Sequence, residues 1–142
     1  MTRPRAVLLA AAVAHALGWL LPVVQQYPGW YAFRAAFSPV WPFEGYRIAP
    51  GPLLWLSVAS ALTNVLFPAL AAALALGHAG GRAGARAILW AAGGATLLNL
   101  HWPLTTRGTP VVLEAGYFAW VASFALLALA AYLALAAAPR PR

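Results

Sequence analysis

The sequence predicts an all-α polytopic membrane protein: a four-transmembrane-helix antiparallel bundle in a single domain of residues 1–142. Hydrophobic residues make up 63% of the chain and charged residues only 8%, whereas soluble domains carry about 25% charged residues. Four apolar segments are long enough to cross a ~30 Å hydrocarbon layer as helices. These segments do not alternate polar and apolar residues, as the strands of a membrane barrel would. A soluble helical bundle would need polar outer faces, which the four segments lack.

The four predicted spans cover residues 6–24, 53–76, 87–104 and 111–138. The beginning of the chain also reads as a signal peptide, since two arginines precede an apolar run that contains Ala-His-Ala at 14–16. We expect an uncleaved first span, because the apolar run continues well beyond that motif.

The longest connection is an outer loop at residues 25–52, between the first and second spans. Residues 28–37 predict a short amphipathic helix in the membrane interface, with Trp30, Phe33 and Phe37 on one side. A proline-rich cap then leads into the second span, and its prolines fix φ and remove backbone donors that would lack partners near lipid. This cap is interpreted either as an ordered cover over the bundle or as a binding element.

Arginines are distributed unequally between the two ends of the predicted bundle. One end carries six arginines and no acid: Arg3, Arg5, Arg82, Arg86, Arg140 and Arg142. The other end carries three arginines and both acids: Arg34, Arg47, Arg107, Glu44 and Glu114. Positive charge favours the cytoplasmic side, so both termini are predicted to be cytoplasmic. The alanine- and arginine-rich composition, without lysine, is typical of a bacterial protein, and the membrane would be the cytoplasmic (inner) one.

The polar side chains of the predicted spans lie in their outer halves. Ser57, Ser60 and Asn64 follow spacings of three and four residues and therefore share one helix face. The inner halves carry no amide, imidazole or charge, so a conducting path through one protomer is not expected. The pattern predicts an outward-opening polar pocket above a packed apolar floor. The alternative is that these side chains only hold helices together.

Ten residues form the predicted ligand or partner pocket. They are Glu114, Arg47, Arg107, His101, Asn99, Asn64, Ser60, Ser57, His15 and Trp41. Because a carboxylate near a membrane span needs a partner, Glu114 is expected to pair with Arg47 or Arg107. No catalytic triad and no H-E-x-x-H spacing is present, and the chain has no cysteine. No catalytic residue, metal or cofactor is therefore predicted.

Function is predicted only by class. We expect a non-enzymatic accessory or assembly subunit, or a binder of a lipid-like ligand, acting through the outer cap and pocket. Its partners would be the bilayer, another membrane protein or a second copy, and an apolar ligand. Scattered arginines without a basic stripe argue against nucleic acid. One alternative is a small-solute transporter or oligomeric channel whose pathway runs between protomers. Another is a lipid-modifying enzyme that uses Glu114, His101 and Arg47.

Two short segments, GYFAWVASFALL at 116–127 and FSPVW at 37–41, resemble parts of the tryptophan-rich sensory protein (translocator) family. That family binds porphyrins and sterols and has five spans, whereas this chain is predicted to have four. The resemblance implies an apolar ligand and carries no site residue over.

Overall fold

The computed structural model describes residues 2–43, 51–77, 81–108 and 110–138, and it is mostly helical. The elements are α1 (Arg3–Leu20), β1 (Pro22–Val24), β2 (Tyr27–Pro28), α2 (Gly29–Ala36), α3 (Pro52–Ala75), α4 (Arg82–Asn99), α5 (His101–Thr105) and α6 (Ala115–Ala137).

Helix α6 is the centre of the packing. It lies between α1 and α4, which make its most extensive contacts. Helix α3 packs mainly against α4. Ala11, Ala92 and Ala131 are fully buried between these helices, and small side chains of this kind let helix backbones approach closely. The buried apolar cluster contains Ala11, Phe67, Ile88, Ala92, Ala95, Phe124, Leu127 and Ala131.

The two ends of the molecule differ in construction. At one end Thr2 and Arg5 share a surface depression with Leu76 and Ala134, so the start of α1 and the ends of α3 and α6 lie together. At the other end the antiparallel β1–β2 hairpin, α2 and α5 surround the opposite helix termini. Neighbouring long helices therefore run in alternating directions, as predicted.

Two helices, α3 with 24 residues and α6 with 23, are long and apolar enough to cross a membrane. Helices α1 and α4, with 18 residues each, do not meet the same test of length and hydropathy. Arg3 and Arg5 lie in the first turn of α1, and Arg82 and Arg86 lie in the first two turns of α4. These charged turns lower the mean hydropathy of helices that are otherwise apolar. The membrane-protein prediction is thus supported for two of its four spans.

Four helix ends differ from the predicted span boundaries by four or five residues. Helix α1 stops at Leu20 rather than at residue 24, because Pro22 disfavours helical geometry at Leu21. Helix α4 begins at Arg82 and ends at Asn99, and the predicted remainder of that span is the separate helix α5.

The fourth difference is at the start of α6. Residues 111–114 are not part of the helix and instead extend along β1. Val24 bridges to Leu113, and the backbone N–H of Glu114 donates to the Val23 carbonyl at 2.9 Å. The hairpin is thereby tied to the beginning of α6.

The short helix predicted at 28–37 is present as α2. The segment after α2 stays in contact with this helix. The guanidinium of Arg34 lies 4.1 Å from the ring centre of Trp41 and 4.9 Å from that of Phe43. Contacts of this type are attractive between a cation and an aromatic face. Residues 44–50 of the proline-rich cap, which include Arg47, lie outside the described residues.

Candidate functional site

A cavity of about 490 Å³ occupies the end of the molecule that carries the hairpin. Its wall combines α2 and β1 with the first half of α3, the end of α4, α5 and the first half of α6. The volume falls within the range of small-molecule binding sites. The lining is mostly apolar, with Phe33, Ala61, Leu113 and Trp120 among its contributors.

Five of the predicted pocket residues lie on this wall: Ser57, Ser60, Asn64, Asn99 and His101. The first three come from one face of α3, as their spacing predicted. Asn99 ends α4 and His101 begins α5, so the break between those two helices brings an amide and an imidazole to the cavity. Of the other predicted residues, the four that the structure describes, Glu114, Arg107, His15 and Trp41, do not line it.

Asn99 is the centre of a buried hydrogen-bond network. Its Oδ1 accepts the Ser60 hydroxyl at 2.7 Å, and its Nδ2 donates to Thr63 Oγ1 at 2.9 Å. Ser60 Oγ in turn accepts the indole N–H of Trp102 at 3.1 Å. The network joins α3 to α4 and α5, and it adds to the packing of Phe67 of α3 in the apolar cluster. Ser60 and Asn99 therefore hold helices together and also line the cavity.

Two prolines release backbone carbonyls next to this network. Proline has no N–H, so the carbonyl four residues earlier loses its helical partner. Pro103 thereby frees the carbonyl of Asn99, which accepts the hydroxyl of Tyr117 at 2.9 Å. Pro68 frees the carbonyl of Asn64, which interacts with the ring of His15. Each released carbonyl is therefore used in joining one helix to another.

His15 is a buried packing residue beneath the cavity. Trp19 Nε1–H donates to His15 Nε2 at 3.0 Å, so the ring hydrogen is on Nδ1, which donates to Ser123 Oγ at 3.3 Å. The ring also stacks on Phe67 with centroids 3.9 Å apart. Both nitrogens are engaged, and this arrangement leaves no lone pair for a metal or ligand.

Glu114 is hydrogen-bonded to the turn of the hairpin. Its Oε1 accepts the backbone N–H of Gln26 at 2.7 Å and the side-chain amide of Gln26 at 3.1 Å. Gln25 and Gln26 both have positive φ, 48° and 67°, a region that costs energy for residues other than glycine. The carboxylate thus stabilises the tight turn of the hairpin. Within the described residues Glu114 forms no ion pair with Arg107, and Arg47 lies outside them.

Two further predicted residues are exposed. Arg107 lies at the surface between α5 and α6, and Trp41 is 64% exposed beside Arg34. Across the described ranges there is no group of three or more His, Asp or Glu side chains that could hold a metal ion.

Several wall residues were missed from the sequence, namely Trp102, Tyr117 and Trp120. A signal for two of them was present. Asn-x-x-x-Pro occurs twice, at 64–68 and 99–103. In each case the proline cannot donate to the backbone carbonyl of the asparagine, so that carbonyl needs a hydrogen-bond donor from another part of the chain. Tyr117 supplies one such donor, and Trp102 lies directly before the second proline.

No protein-family model, no curated protein and no solved structure matches this chain. The resemblance of residues 37–41 and 116–127 to the translocator family is therefore without support from a family match, and the geometry of the cavity stands as the basis for a functional assignment.

Proposed function

We propose that the chain is a four-span protein of the bacterial cytoplasmic membrane that holds an apolar, lipid-like ligand in the cavity at its outer end. The observation that carries this proposal is the cavity itself, about 490 Å³ and mostly apolar in its lining. A cavity of this size, in which the described lining residues include no Arg, Lys, Asp or Glu, suits a molecule that is itself largely apolar.

Exposed apolar side chains support a membrane location for all four long helices. Helix α1 exposes Leu9, Val13 and Leu17 at intervals of four residues, along one face of the helix. Trp90 and Leu97 of α4 are each 73% exposed. Continuous exposed apolar faces are unfavourable in water. Because an 18-residue helix is about 27 Å long, α1 and α4 nearly match the ~30 Å hydrocarbon layer.

The arginine distribution supports an orientation with both termini in the cytoplasm. The end of the molecule that brings together Thr2, Leu76 and Ala134 carries Arg3, Arg5, Arg82 and Arg86. The cavity is at the opposite end and would face the periplasmic side of the membrane.

The packing beneath the cavity favours binding over conduction. Phe67, Phe124 and Leu127 are buried in the apolar cluster between the cavity and the arginine-bearing end. A path for ions needs polar groups over the whole depth of the membrane. The described buried polar side chains instead lie in the half of the molecule that holds the cavity.

A cavity-filling variant tests the proposal. Ala61 lies on the cavity wall and is buried, so Ala61→Phe should place a ring inside the cavity. The full chain purified in mild detergent should retain an apolar small molecule, seen by native mass spectrometry. We expect Ala61→Phe to lose most of that retained molecule. Ala69→Phe, on an exposed position of the same helix, should keep it.

Two results would contradict ligand binding. One is a wild-type chain that carries no apolar molecule, and the other is an Ala61→Phe variant that retains as much as Ala69→Phe. Retention of a second protein in place of a small molecule would indicate an assembly subunit instead. If Ala61→Phe does not fold, Ala32→Leu fills the cavity from the α2 side, since Ala32 is also on the wall.

A further inference from the structure

Exposure divides the cavity wall into a rim and a deep part. The rim includes Tyr27, Leu53 and Thr105, whose side chains are exposed. The deep part includes Ala61 and Trp120, which are 3% and 7% exposed. A molecule with one polar end and an apolar chain would therefore place its chain in the deep part, away from water, and its polar end at the rim.

His101 is the side chain that gives this rim its chemical character. It is half-buried, and Trp102, Thr105 and Thr106 of the same helix, α5, also line the cavity. Positions 101 and 105, like 102 and 106, are one turn apart, so these four residues form one face of α5. The described wall includes no Arg, Lys, Asp or Glu. The imidazole is therefore its only basic group, and no carboxylate of the described wall accompanies it.

One hydrogen bond determines which nitrogen of His101 can meet a ligand. Nδ1 lies 2.7 Å from the carbonyl oxygen of Leu98, and because a carbonyl only accepts, Nδ1 carries the ring hydrogen. Nε2 is then the acceptor of the neutral ring, on the edge away from Leu98. Within the described residues Nε2 has no hydrogen-bond partner, and it is not among the side-chain atoms that are buried without one. Its lone pair is therefore accessible.

A base selects a ligand that a hydroxyl group does not select. The oxygens of Ser57 and Tyr117 on the same wall can accept a hydrogen bond from any donor, so they do not separate an alcohol from an acid. An imidazole can take the proton of a carboxylic acid and hold the carboxylate in a charge-assisted hydrogen bond, which is stronger than one between neutral groups. A cationic head group would find no carboxylate on the described wall.

We infer that the ligand is a long-chain carboxylic acid, bound with its carboxyl group at His101 Nε2 and its chain in the deep part of the cavity. The pair holds one proton, which passes from the carboxyl oxygen to Nε2 when the acid enters and comes from solvent when its carboxylate enters. This inference rests on the proposed function, which requires only that an apolar, lipid-like molecule occupies the cavity. It adds the chemical class of the polar end and its place on the wall.

Three probes of equal chain length test the class of the polar end. They are ω-bromoundecanoate, which is acidic, ω-bromoundecanol, which is neutral and has a hydroxyl donor, and ω-bromoundecyltrimethylammonium, which is a cation. Bromine quenches tryptophan fluorescence at short range, and Trp120 lies in the deep part of the wall. Saturable quenching therefore reports a chain held in the cavity. The non-saturating component reports the concentration of each probe in the micelle, to which its affinity is referred.

For the wild-type full chain in mild detergent, we expect the carboxylate to bind about fivefold to tenfold more tightly than the alcohol, because a charge-assisted hydrogen bond replaces a neutral one. The ammonium probe should bind most weakly. In His101→Asn the side-chain amide can still donate to the Leu98 carbonyl but Nε2 is gone, so the carboxylate preference should disappear while saturable binding persists. Leu104→Asn adds the same amide at an exposed position of α5 outside the wall, and should keep the wild-type preference.

The possible failures are distinguishable. Binding of the alcohol by the wild type as tightly as the carboxylate, or tightest binding of the ammonium probe, would overturn the carboxylic-acid assignment and leave an apolar-ligand protein. A carboxylate preference that survives in His101→Asn, or that is lost equally in Leu104→Asn, would overturn the role of His101. Absence of saturable quenching by all three probes would overturn the proposed function as well. The wild-type comparison remains decisive even if His101→Asn does not fold.

Discussion

At the residue scale, glycines mark the places where backbone segments touch at the cavity end of the molecule. A Cβ at Gly18 would meet the ring of Trp120, and one at Gly29 would meet the carbonyl of Gly18. A Cβ at Gly116 would lie 2.6 Å from the Leu21 carbonyl oxygen and 2.7 Å from that of Pro22. These close approaches let α1, α2 and α6 converge beside the hairpin.

Gly116→Ala should therefore destabilise the protein. Its methyl group would press on two backbone carbonyls that have little freedom to move, and overpacking of this kind costs about 1–3 kcal/mol. Gly93→Ala in α4 is the matched control, because a Cβ there meets nothing within 4 Å. We expect a clear fall in the midpoint of thermal unfolding in detergent for Gly116→Ala and no fall for Gly93→Ala. Equal midpoints for the two variants would show that the approach of residues 21–22 to α6 is not close.

At the element scale, the end of α6 is held by a side chain from α4. Helix α6 ends at Ala137, and the last carbonyls of a helix have no partners within it. Arg82 Nη1 donates to the carbonyl of Leu135 at 3.1 Å and to that of Ala138 at 3.0 Å. A cation at a helix C-terminus is also favoured by the helix dipole. One arginine thus connects the first turn of α4 to the last turn of α6.

Arg82→Gln should lower stability by about 1 kcal/mol, since it removes a charge-assisted contact with two otherwise unpaired carbonyls. Arg86→Gln removes the same charge from an exposed position on the next turn of α4, and should change stability by much less. Unfolding in a denaturing detergent titration, followed by loss of helical circular dichroism, gives both values. A loss for Arg86→Gln as large as that for Arg82→Gln would mean that charge, and not the contact with α6, is responsible.

At the scale of the whole molecule, polarity is divided between the two ends. The cavity end holds the buried serines, asparagines and histidine, while the apolar cluster fills the other half. In the proposed four-span arrangement a membrane would accommodate this division, because lipid would cover the exposed apolar faces of α1, α3, α4 and α6 and leave the two ends in contact with water.

Because the chain has no cysteine, single introduced cysteines can test the proposed orientation, in which both termini are cytoplasmic and the cavity is periplasmic. Ala83 and Val112 are exposed, at the arginine-bearing end and the cavity end respectively. In intact bacterial cells that express the protein, a membrane-impermeant maleimide should label Val112→Cys. Ala83→Cys should react only after permeabilisation. Val65→Cys, on an exposed position in the middle of α3, should react in neither case.

Labelling of both end positions from the same side would show that α4 does not cross the membrane. Labelling of Ala83→Cys alone in intact cells would reverse the orientation and place the cavity at the cytoplasmic face. Reaction of Val65→Cys with the reagent in intact cells would show that α3 is not enclosed by lipid.

The sequence by itself determined where helices form and which side chains share a face. Apolar run length and helical spacing are local properties, so the α3 face of Ser57, Ser60 and Asn64 and the small helix α2 could be read directly. The same reasoning placed the polar residues in one half of the spans. Helix ends were less predictable, because hairpin pairing competed with helix extension at residues 22–24 and 111–114.

Only the tertiary structure decided which groups meet. Glu114 joins Gln26 across 88 positions of sequence, and His15 reaches Ser123 across 108. Such contacts depend on how distant segments approach, which spacing along one helix does not encode. The same approach leaves Asn64 Oδ1 buried without a hydrogen-bond partner, although both polar atoms of the Asn99 side chain are hydrogen-bonded.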